Sequence, residues 1–486
     1  MSQEPLGGDD SVLRGLGYVP ELRRALSLLA SFSIAFSYIS PVVGVYTLFG
    51  YGLLKGGPAF IWGLPVVVMG QLLVVLVFCE LAVRYPLAGA LYQWGRRLVG
   101  PRYGWFVGWI YGWALLITIA AVDLGAAPYL ADLVGLPPTR VTLALLAALL
   151  VAAHTAMNLG GVRLTAIVTT IGLSTEVVAT VVIAGALLLA PGTGGLLPLG
   201  TLLSRQTPSG PAGSGASLAA MLALAWIFYG FESAADVAEE VIEARRSVPR
   251  AMILSLLGAG LVTMILLVAL VLSAGDLKEA SGDPDRVMDV ILARQFGPRV
   301  LQGLLVLLMS AYLSCAGAAQ AAAARLMYSY ARDSMVPGSG WLRSVTKAHA
   351  VPKNALLVSG AIALMVVAAT FVDFGRVNVK ALVVSYAVVG VYLSFQSVVA
   401  GRLIAAARGF RVESAPGYFS LGRWSIAISC LALAYGLAMI VNLCWPRPWE
   451  EPSSWLTLAA ASAIVLPGSA LALFSRRAGG VTETEP

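Results

Sequence analysis

Long apolar runs constrain this chain more than any other feature of its sequence. A run of about 20 apolar residues matches the roughly 30 Å hydrocarbon core of a bilayer. Twelve such runs begin near residues 26, 58, 104, 141, 164, 217, 250, 300, 354, 379, 423 and 455. Of the 486 residues, 58% are hydrophobic and only 12% are charged, against about 25% charged in soluble domains. The sequence therefore predicts an all-α polytopic membrane protein with twelve transmembrane helices.

Basic residues predict how the chain lies in the membrane. Lys and Arg in short loops are retained in the cytoplasm, and the loops on the amino-terminal side carry most of them, including Arg96, Arg97, Arg245 and Arg246. The opposite loop at 276–289 is acidic. We therefore expect a multi-pass protein of the cell membrane with both termini in the cytoplasm. The net charge of +7 follows from this bias, so no nucleic-acid partner is expected.

The first predicted span is interrupted near its middle. Pro41 lacks a backbone donor and clashes with the preceding turn, and Gly44 allows unusual dihedral angles. The helix is therefore predicted to open between Ile39 and Gly44. A single Pro in a membrane helix is more often only a kink.

The sixth predicted span is interrupted as well. An apolar run enters from Ser217 and stops at Tyr229, after which Gly230, Phe231 and Glu232 follow. Unsatisfied backbone groups and charges at membrane depth cost several kcal/mol unless protein or a water-filled cavity receives them. The sequence therefore predicts a cavity at this break, the alternative being a Gly kink beside a snorkelling Glu. Residues 233–242 are predicted to be helical again, with Pro249 opening the next helix.

The two halves of the chain share a short motif. An amphipathic segment at 85–103 after the second span contains Gly100, Pro101 and Arg102, and a second one at 285–300 after the seventh span contains the same triplet at 297–299. Five spans separate the copies, which predicts an inverted repeat of five spans. The expected organisation is an amino-terminal segment at 1–25, a first repeat at 26–190, an extracellular loop at 191–216, a second repeat at 217–404, spans eleven and twelve at 405–476, and a tail at 477–486. The loop is predicted to be flexible, and the last two spans could form a homodimer surface.

Interrupted helices in corresponding halves of a membrane protein are typical of a transporter binding site. The outer half of span one should offer free N–H groups to an anion near Gly44 and Val45, and span six should offer carbonyls to an ammonium near 228–230. Aromatic side chains at both breaks, Tyr46 included, could surround a cation. The predicted substrate-binding residues are Tyr38, Ile39, Ser40, Pro41, Gly44, Val45, Asp123, Phe228, Tyr229, Gly230, Phe231 and Glu232.

Ionisable residues inside the predicted spans are candidates for ion coupling. Asp123 and Glu176 are the most internal, and a buried carboxylate either takes up a proton or pairs with a cation. They are candidates for proton carrier or amine ligand, the alternative being a hydrogen bond between helices. Ser310 and Ser314 in span eight keep sodium open as the coupling ion. No cofactor is expected.

Two further ionisable residues in the spans have structural interpretations. Glu80 lies at the inner end of span two near Arg84 and is interpreted as structural. His154 lies in span four, and the only other histidine is the loop residue His349. A core histidine with satisfied hydrogen bonds is therefore the better interpretation than a metal ligand.

Several stretches together resemble the amino acid–polyamine–organocation transporter superfamily, across spans one to ten. The stretches are SYISPVVGVYTLFGYGLLKGGPAFIW, GQLLVVLVFCELAVRYPLAGALYQW, FYGFESAADVAEEVIEARRSVPRAM and RLMYSYARDSMVP. The opening SYISP is similar to the amino acid/choline branch, which includes permeases for γ-aminobutyrate and choline. This resemblance implies a LeuT-type 5+5 fold with broken helices 1 and 6.

Two positions depart from the pattern of this superfamily. Its Gly-Ser-Gly-like run around the substrate carboxylate corresponds here to residues 40–44, SPVVG. Many relatives carry a Lys in span five where this chain has Glu176. The inverted charge suggests a cationic substrate or a protonatable coupling site.

The sequence thus predicts a secondary active transporter for an amino acid or small organic amine, and not an enzyme. No Walker loop, HExxH or GxSxG motif occurs. Proton coupling or exchange is expected, with sodium coupling as the alternative and a channel or membrane sensor as the competing class. Because the internal carboxylates outnumber internal cations, the substrate is expected to be cationic or an ω-amino acid rather than acidic.

Overall fold

The computed structural model describes residues 8–189, 195–208, 210–275, 287–370, 379–410, 417–445, 462 and 465–469. Within these ranges, nine helical segments are long and apolar enough to cross a membrane. They are Leu28–Gly56, Pro58–Arg84, Pro101–Val134, Arg140–Leu159, Val162–Leu189, Ala244–Leu272, Arg299–Arg332, Leu382–Ala407 and Gly422–Cys444. Two shorter apolar helices are Ser214–Ile227 and Lys353–Ala369. The described residues are mostly helical, which agrees with the predicted polytopic membrane protein.

The α-helices are numbered along the chain. They are α1 (Asp9–Gly15), α2 (Leu28–Ile39), α3 (Pro41–Gly56), α4 (Gly63–Arg84), α5 (Ala90–Leu98), α6 (Pro101–Val134), α7 (Arg140–Leu159), α8 (Val162–Leu189), α9 (Ser214–Ile227), α10 (Ser233–Asp236), α11 (Ala244–Leu272), α12 (Val287–Gln295), α13 (Pro298–Arg332), α14 (Ser339–Leu342), α15 (Lys353–Ala369), α16 (Val379–Ala407) and α17 (Ser425–Cys444).

The first break lies at a single residue. Helix α2 ends at Ile39, and Ser40 adopts left-handed dihedral angles of φ 41 and ψ 84. Pro41 is the first residue of α3, where its missing N–H costs nothing and its fixed φ suits the helix. The break is therefore confirmed, but the predicted opening as far as Gly44 is wrong because Pro41 starts a helix there.

The second break is longer. Helix α9 ends at Ile227 and α10 begins at Ser233, with Gly230 at φ 117 between them. The predicted helix over 233–242 is too long, since α10 has only 4 residues and a 3₁₀ turn follows at Ala238–Glu240. Val241 pairs in extended form with Leu26, which uses backbone groups that a longer helix would need. Pro249 lies inside α11 rather than at its start.

The repeated Gly-Pro-Arg motif begins two similar helices. The 9-residue α5 precedes Gly100 and the 34-residue α6, while the 9-residue α12 precedes Gly297 and the 35-residue α13. In both copies Pro occupies the first helical turn. The shared triplet therefore marks the same local architecture in each half.

Helix α6 occupies a central place, since it packs against α5, α7, α13, α15 and α16. The two broken spans lie side by side through α3 and α9. A Cβ on Gly44 would lie 2.4 Å from Cγ1 of Ile227, so only Gly allows this approach. This packing places the two broken spans in direct contact.

Two other predicted regions can be compared with the structure only in part. The outer loop, predicted to be flexible, contains a 3₁₀ turn at Leu199–Leu203 and short strands β1 (Gln206–Thr207) and β2 (Gly210–Pro211), which pair antiparallel. The twelfth predicted span lies outside the described residues except for 462 and 465–469, as do residues 276–286 of the acidic loop.

Candidate functional site

A small cavity lies between the two breaks and α6. Tyr38 and Ile39 come from the end of α2, Trp226 from the end of α9, Tyr229 from the second break, and Thr118 from α6. The full lining is Tyr38, Ile39, Val43, Gly44, Thr118, Val122, Trp226, Tyr229 and Cys315. The helix interruptions therefore open onto one shared space.

Aromatic rings and hydroxyl groups form one wall of this cavity. The Tyr38 and Tyr229 rings meet edge to face with centroids 5.9 Å apart, and Trp226 meets Tyr229 at 5.8 Å. The Tyr229 hydroxyl lies 3.2 Å from Oγ1 of Thr118. The buried Tyr38 hydroxyl makes no hydrogen bond within the described residues. Ring faces attract cations, and a free buried hydroxyl can bind a polar ligand atom.

The start of α3 offers fewer free N–H groups than predicted. The Gly44 amide donates to the Ser40 carbonyl at 2.9 Å, and Val45 lies one turn inside the helix. The prediction of free amides at Gly44 and Val45 is therefore wrong, because the helix begins at Pro41. Among the described groups, none accepts a hydrogen bond from the Val43 amide, and Val43 lines the cavity.

Glu176 caps α3 instead of facing the cavity. Its Oε1 accepts from the Val42 amide at 2.7 Å and from Oγ of Ser40 at 3.0 Å. A carboxylate at a helix amino terminus is stabilised by the free N–H groups and by the helix dipole. Its Oε2 has no partner among the described residues. Glu176 therefore joins α8 to the first break.

Glu232 also faces away from the cavity. Its Oε2 accepts from the Gly230 amide at 2.8 Å, and its Oε1 lies 3.2 Å from the Tyr111 hydroxyl. The same hydroxyl lies 2.6 Å from Oδ2 of Asp236. Glu232 is therefore part of a buried cluster behind the second break and does not line the cavity, so its contact with a substrate amine stays a prediction.

Asp123 is paired across helices. Its Oδ2 lies 3.1 Å from Nε2 of His154, whose Nδ1 lies 2.9 Å from Oε1 of Gln320. Gln320 also contacts Thr155 at 2.7 Å. All these groups lie between α6, α7 and α13, so His154 is a hydrogen-bonded core histidine, as interpreted from the sequence. This contact corresponds to the inter-helix hydrogen bond that was the alternative for Asp123.

The other predicted residues divide between cavity and packing. Ser40, Pro41, Val45 and Phe228 are buried but do not line the cavity. Phe231 packs on Phe78 and Phe395 with centroids 6.2 and 5.3 Å away, and Tyr46 packs on Tyr129 at 5.5 Å. Of the five aromatic residues predicted to surround a cation, the two that line the cavity are Tyr38 and Tyr229, and the other three are Tyr46, Phe228 and Phe231.

Ser310 and Ser314 face α8 rather than the cavity. Ser310 Oγ lies 2.8 Å from Oγ1 of Thr175, and a Cβ on Gly172 would lie 2.2 Å from Oγ of Ser314. Both serine hydroxyls donate to carbonyls of their own helix. The two serines therefore lie in the tightly packed interface between α8 and α13.

Glu80 is structural, but its partners differ from the predicted one. Its carboxylate accepts from Oγ of Ser425 at 2.6 Å and lies 3.5 Å from Nε of Arg402. Arg84, the predicted neighbour, instead donates to the Tyr85 hydroxyl and stacks over Phe410. Glu80 therefore ties α4 to α16 and α17.

Sequence reasoning missed several residues that line the cavity. Thr118 and Val122 are four residues apart on α6 and so share one helix face. Trp226 ends the apolar run of α9, and Cys315 lies near the middle of α13. The hydroxyl of Thr118 inside a long apolar run was the available signal for α6. Nothing in the sequence marks the rotation of α13 that turns Cys315 to the cavity.

Comparisons with known proteins agree with this architecture. Residues 26–468 match the family model described as amino acid permease. An uncharacterized amino-acid permease of Schizosaccharomyces pombe is 27% identical over 92% of this chain and 80% of the relative. The amino-acid permease BAT1 homolog of Oryza sativa is 25% identical over 90% and 88%. The low-affinity putrescine importer PlaP of Escherichia coli K12 is 30% identical over 73% and 78%. The chain therefore belongs to the amino acid permease family.

Proposed function

We propose that this protein is a secondary active transporter that moves an amino acid or small organic amine by alternating access. The observation that carries the proposal is the shared cavity between the two helix breaks. A broken helix exposes backbone donors at one half and acceptors at the other, which can hold a small zwitterion or cation at membrane depth. The permease relatives support a transport role.

The fold that we propose is a LeuT-type arrangement of twelve transmembrane helices in two inverted repeats of five. The matched pairs α5 with α6 and α12 with α13 support the repeat, as do the interruptions of the first and sixth spans. The location that we propose is the cell membrane, with both termini cytoplasmic. Membership of the amino acid/choline branch and a homodimer through the last two spans stay predictions.

The proposed substrate carries an amine and belongs to the γ-aminobutyrate, choline or cationic amino acid class. The aromatic wall of Tyr38, Trp226 and Tyr229 suits an ammonium, while the Val43 amide can donate a hydrogen bond to a carboxylate. The carboxylates of Asp123, Glu176 and Glu232 do not line the cavity, so their contribution to the preference for a cation is long-range. One relative is named as a putrescine importer, which agrees with a cationic substrate.

Counterflow in proteoliposomes tests the transporter proposal, since unlabelled substrate inside accelerates uptake of label only for a carrier. The purified protein is first screened by thermal shift against amino acids, γ-aminobutyrate, choline and polyamines, because a ligand that binds the native state raises its stability. Hits are then used for counterflow. Binding without counterflow would favour a sensor, and flux without saturation or counterflow would favour a channel.

Proton coupling is the proposed source of energy, with exchange as a variant of the same cycle. Uptake driven by an inward proton gradient in sodium-free buffer is expected. Uptake that requires external sodium and ignores the pH gradient would assign sodium as the coupling ion instead.

A further inference from the structure

Two carboxylates lie behind the second break without a cation of their own. Glu232 and Asp236 are four residues apart and both are fully buried. Within the described chain, no Lys, Arg or His forms an ion pair with either. Two buried negative charges one helical turn apart repel each other strongly where water is excluded. Binding of a proton to one of the two carboxylates would remove this repulsion.

Neighbouring charged groups are already paired. Arg325 of α13 forms a bidentate bond with Glu240, at 2.7 and 3.1 Å, and Arg332 binds Glu239 at 2.8 and 2.9 Å. The titratable groups that act electrostatically on the pair are Tyr111 of α6, Tyr38 of α2, Tyr229 of the second break and Arg325, whose charge also reaches Asp236. On α5, Tyr92 and Arg96 bind Asp333 instead. Arg245, the second residue of α11, donates from its guanidinium to the Val83 carbonyl.

The two carboxylates compete for a single hydroxyl proton. A phenol carries a single proton, so Tyr111 can donate either to Asp236 at 2.6 Å or to Glu232 at 3.2 Å. The other oxygen of Asp236, Oδ1, is buried and has no hydrogen-bond partner among the described groups. The Ala90 amide of α5 lies close enough to this carboxyl group to favour its ionised form.

We propose that Asp236, Tyr111 and Glu232 form a proton-binding site, and that Asp236 carries the proton coupled to transport. Protonated Asp236 donates to Tyr111, Tyr111 donates to Glu232, and the Gly230 amide donates to the second oxygen of Glu232. Each polar hydrogen in this chain then has one acceptor. The coupling role rests on the transporter function proposed above, whereas the proton site itself does not.

Loss of the proton would change a contact at the edge of the cavity. With Asp236 ionised, the Tyr111 hydroxyl turns to Asp236, and Glu232 keeps only its bond from the Gly230 amide, at 2.8 Å. Tyr229, next to that glycine, lines the cavity, and its hydroxyl contacts Thr118 of α6. Two hydrogen-bonded contacts between α6 and the second break thus connect the proton site to the cavity, one at Glu232 and one at Tyr229.

Asp123 and Glu176 are weaker candidates for this proton. Asp123 has His154 at 3.1 Å, a group that can itself supply a positive charge. Glu176 lies at the amino terminus of the 16-residue α3 and accepts two hydrogen bonds there, so the helix dipole compensates its charge. Asp236 instead has a second carboxylate as its neighbour.

Infrared spectroscopy of the purified full-length protein tests the proton site without any substrate. At neutral pH we expect the C=O stretching band of a protonated carboxylic acid that disappears in Asp236→Asn. Tyr111→Phe should keep the band but shift its frequency, since the acid loses its acceptor. The control Asp132→Asn, a substitution of an exposed carboxylate on α6, should leave the band unchanged. A wild-type spectrum whose acid bands are all retained in Asp236→Asn would overturn the proposal.

Transport in proteoliposomes tests the coupling role. A gradient of about one pH unit supports about tenfold accumulation for each coupled proton. We expect Asp236→Asn to lose this accumulation while it keeps counterflow, and Asp132→Asn, at an exposed carboxylate, to keep both. Retained accumulation in Asp236→Asn would show that its proton is not the coupled one. If the wild type showed no counterflow with any substrate, the transporter proposal would fail while the infrared result still decided the proton site.

Discussion

Single side chains at the breaks hold strained backbone in place. Ser40 is a non-glycine residue in the left-handed region, a conformation that costs about 1–2 kcal/mol. The Glu176 carboxylate accepts from both Ser40 and the next amide. The charge at this position therefore has a structural role that its sequence position did not indicate.

Substitutions of Glu176 separate hydrogen bonding from charge. Glu176→Gln keeps an oxygen that can accept from the Val42 amide, whereas Glu176→Ala leaves that buried N–H unpaired at a cost of about 1–3 kcal/mol. We therefore expect thermal unfolding of the purified protein to rank wild type first, then Gln, then Ala. Equal losses for Gln and Ala would show that charge at the helix terminus is what matters.

Gly230 is the residue whose replacement should do most damage at the second break. At φ 117 an alanine is strained, and its Cβ would lie 2.8 Å from the Ile39 amide nitrogen and from Cγ of Tyr38. We expect Gly230→Ala to abolish counterflow or folded yield. Gly185→Ala in α8 is the matched control, since a Cβ there meets nothing within 4 Å and Ala favours helix. A Gly230→Ala protein with normal stability and counterflow would contradict the close packing of the two breaks.

At the scale of elements, the contact between α3 and α9 sets the distance between the broken spans. Gly44→Ala would place Cβ 2.4 Å from Cγ1 of Ile227, so the two helices would have to separate. Ile227→Ala removes that atom but leaves a cavity, which typically lowers the free energy of unfolding by about 2–5 kcal/mol.

A double-mutant cycle measures this contact. The double variant Gly44→Ala/Ile227→Ala should lose less stability than the two single losses added together, by on the order of 0.5–3 kcal/mol, because the new methyl occupies space vacated by Ile227. Thermal unfolding of the four proteins gives the coupling. Simple additivity would mean that α3 and α9 do not meet at these positions.

At the scale of the whole molecule, the distribution of Lys and Arg predicts the orientation. Lys347 lies between α14 and α15, on the same side as the amino-terminal segment. Tyr18 of that segment donates a hydrogen bond to Asp333, which follows the last residue of α13. Gln206 lies on the opposite side, in the loop before α9.

Cysteine labelling in intact cells tests the orientation. In a background with Cys430 and Cys444 replaced by Ser, we expect Gln206→Cys to react with a membrane-impermeant maleimide and Lys347→Cys to react only after the cells are opened. Both positions are exposed. The reverse pattern would place the termini outside and would require the positive-inside argument to be abandoned for this chain.

The sequence by itself determined the class of protein and the positions of both breaks. Apolar runs long enough to span a bilayer need only composition, and Pro and Gly act on the backbone within a few residues of themselves. The interruptions at Ser40 and Gly230 were therefore predictable, although the length of the first opening was not.

Only the tertiary structure decided which polar groups face the cavity. Asp123 and His154 lie 31 residues apart on different helices, and Glu176 lies more than 130 residues from the amide that it caps. Such pairs depend on how each helix is rotated and which helix lies beside it, and those properties arise from packing over the whole molecule. For the same reason the sequence placed Glu232 at the substrate, whereas its hydrogen bonds to Gly230 and Tyr111 turn it to the other side of the break.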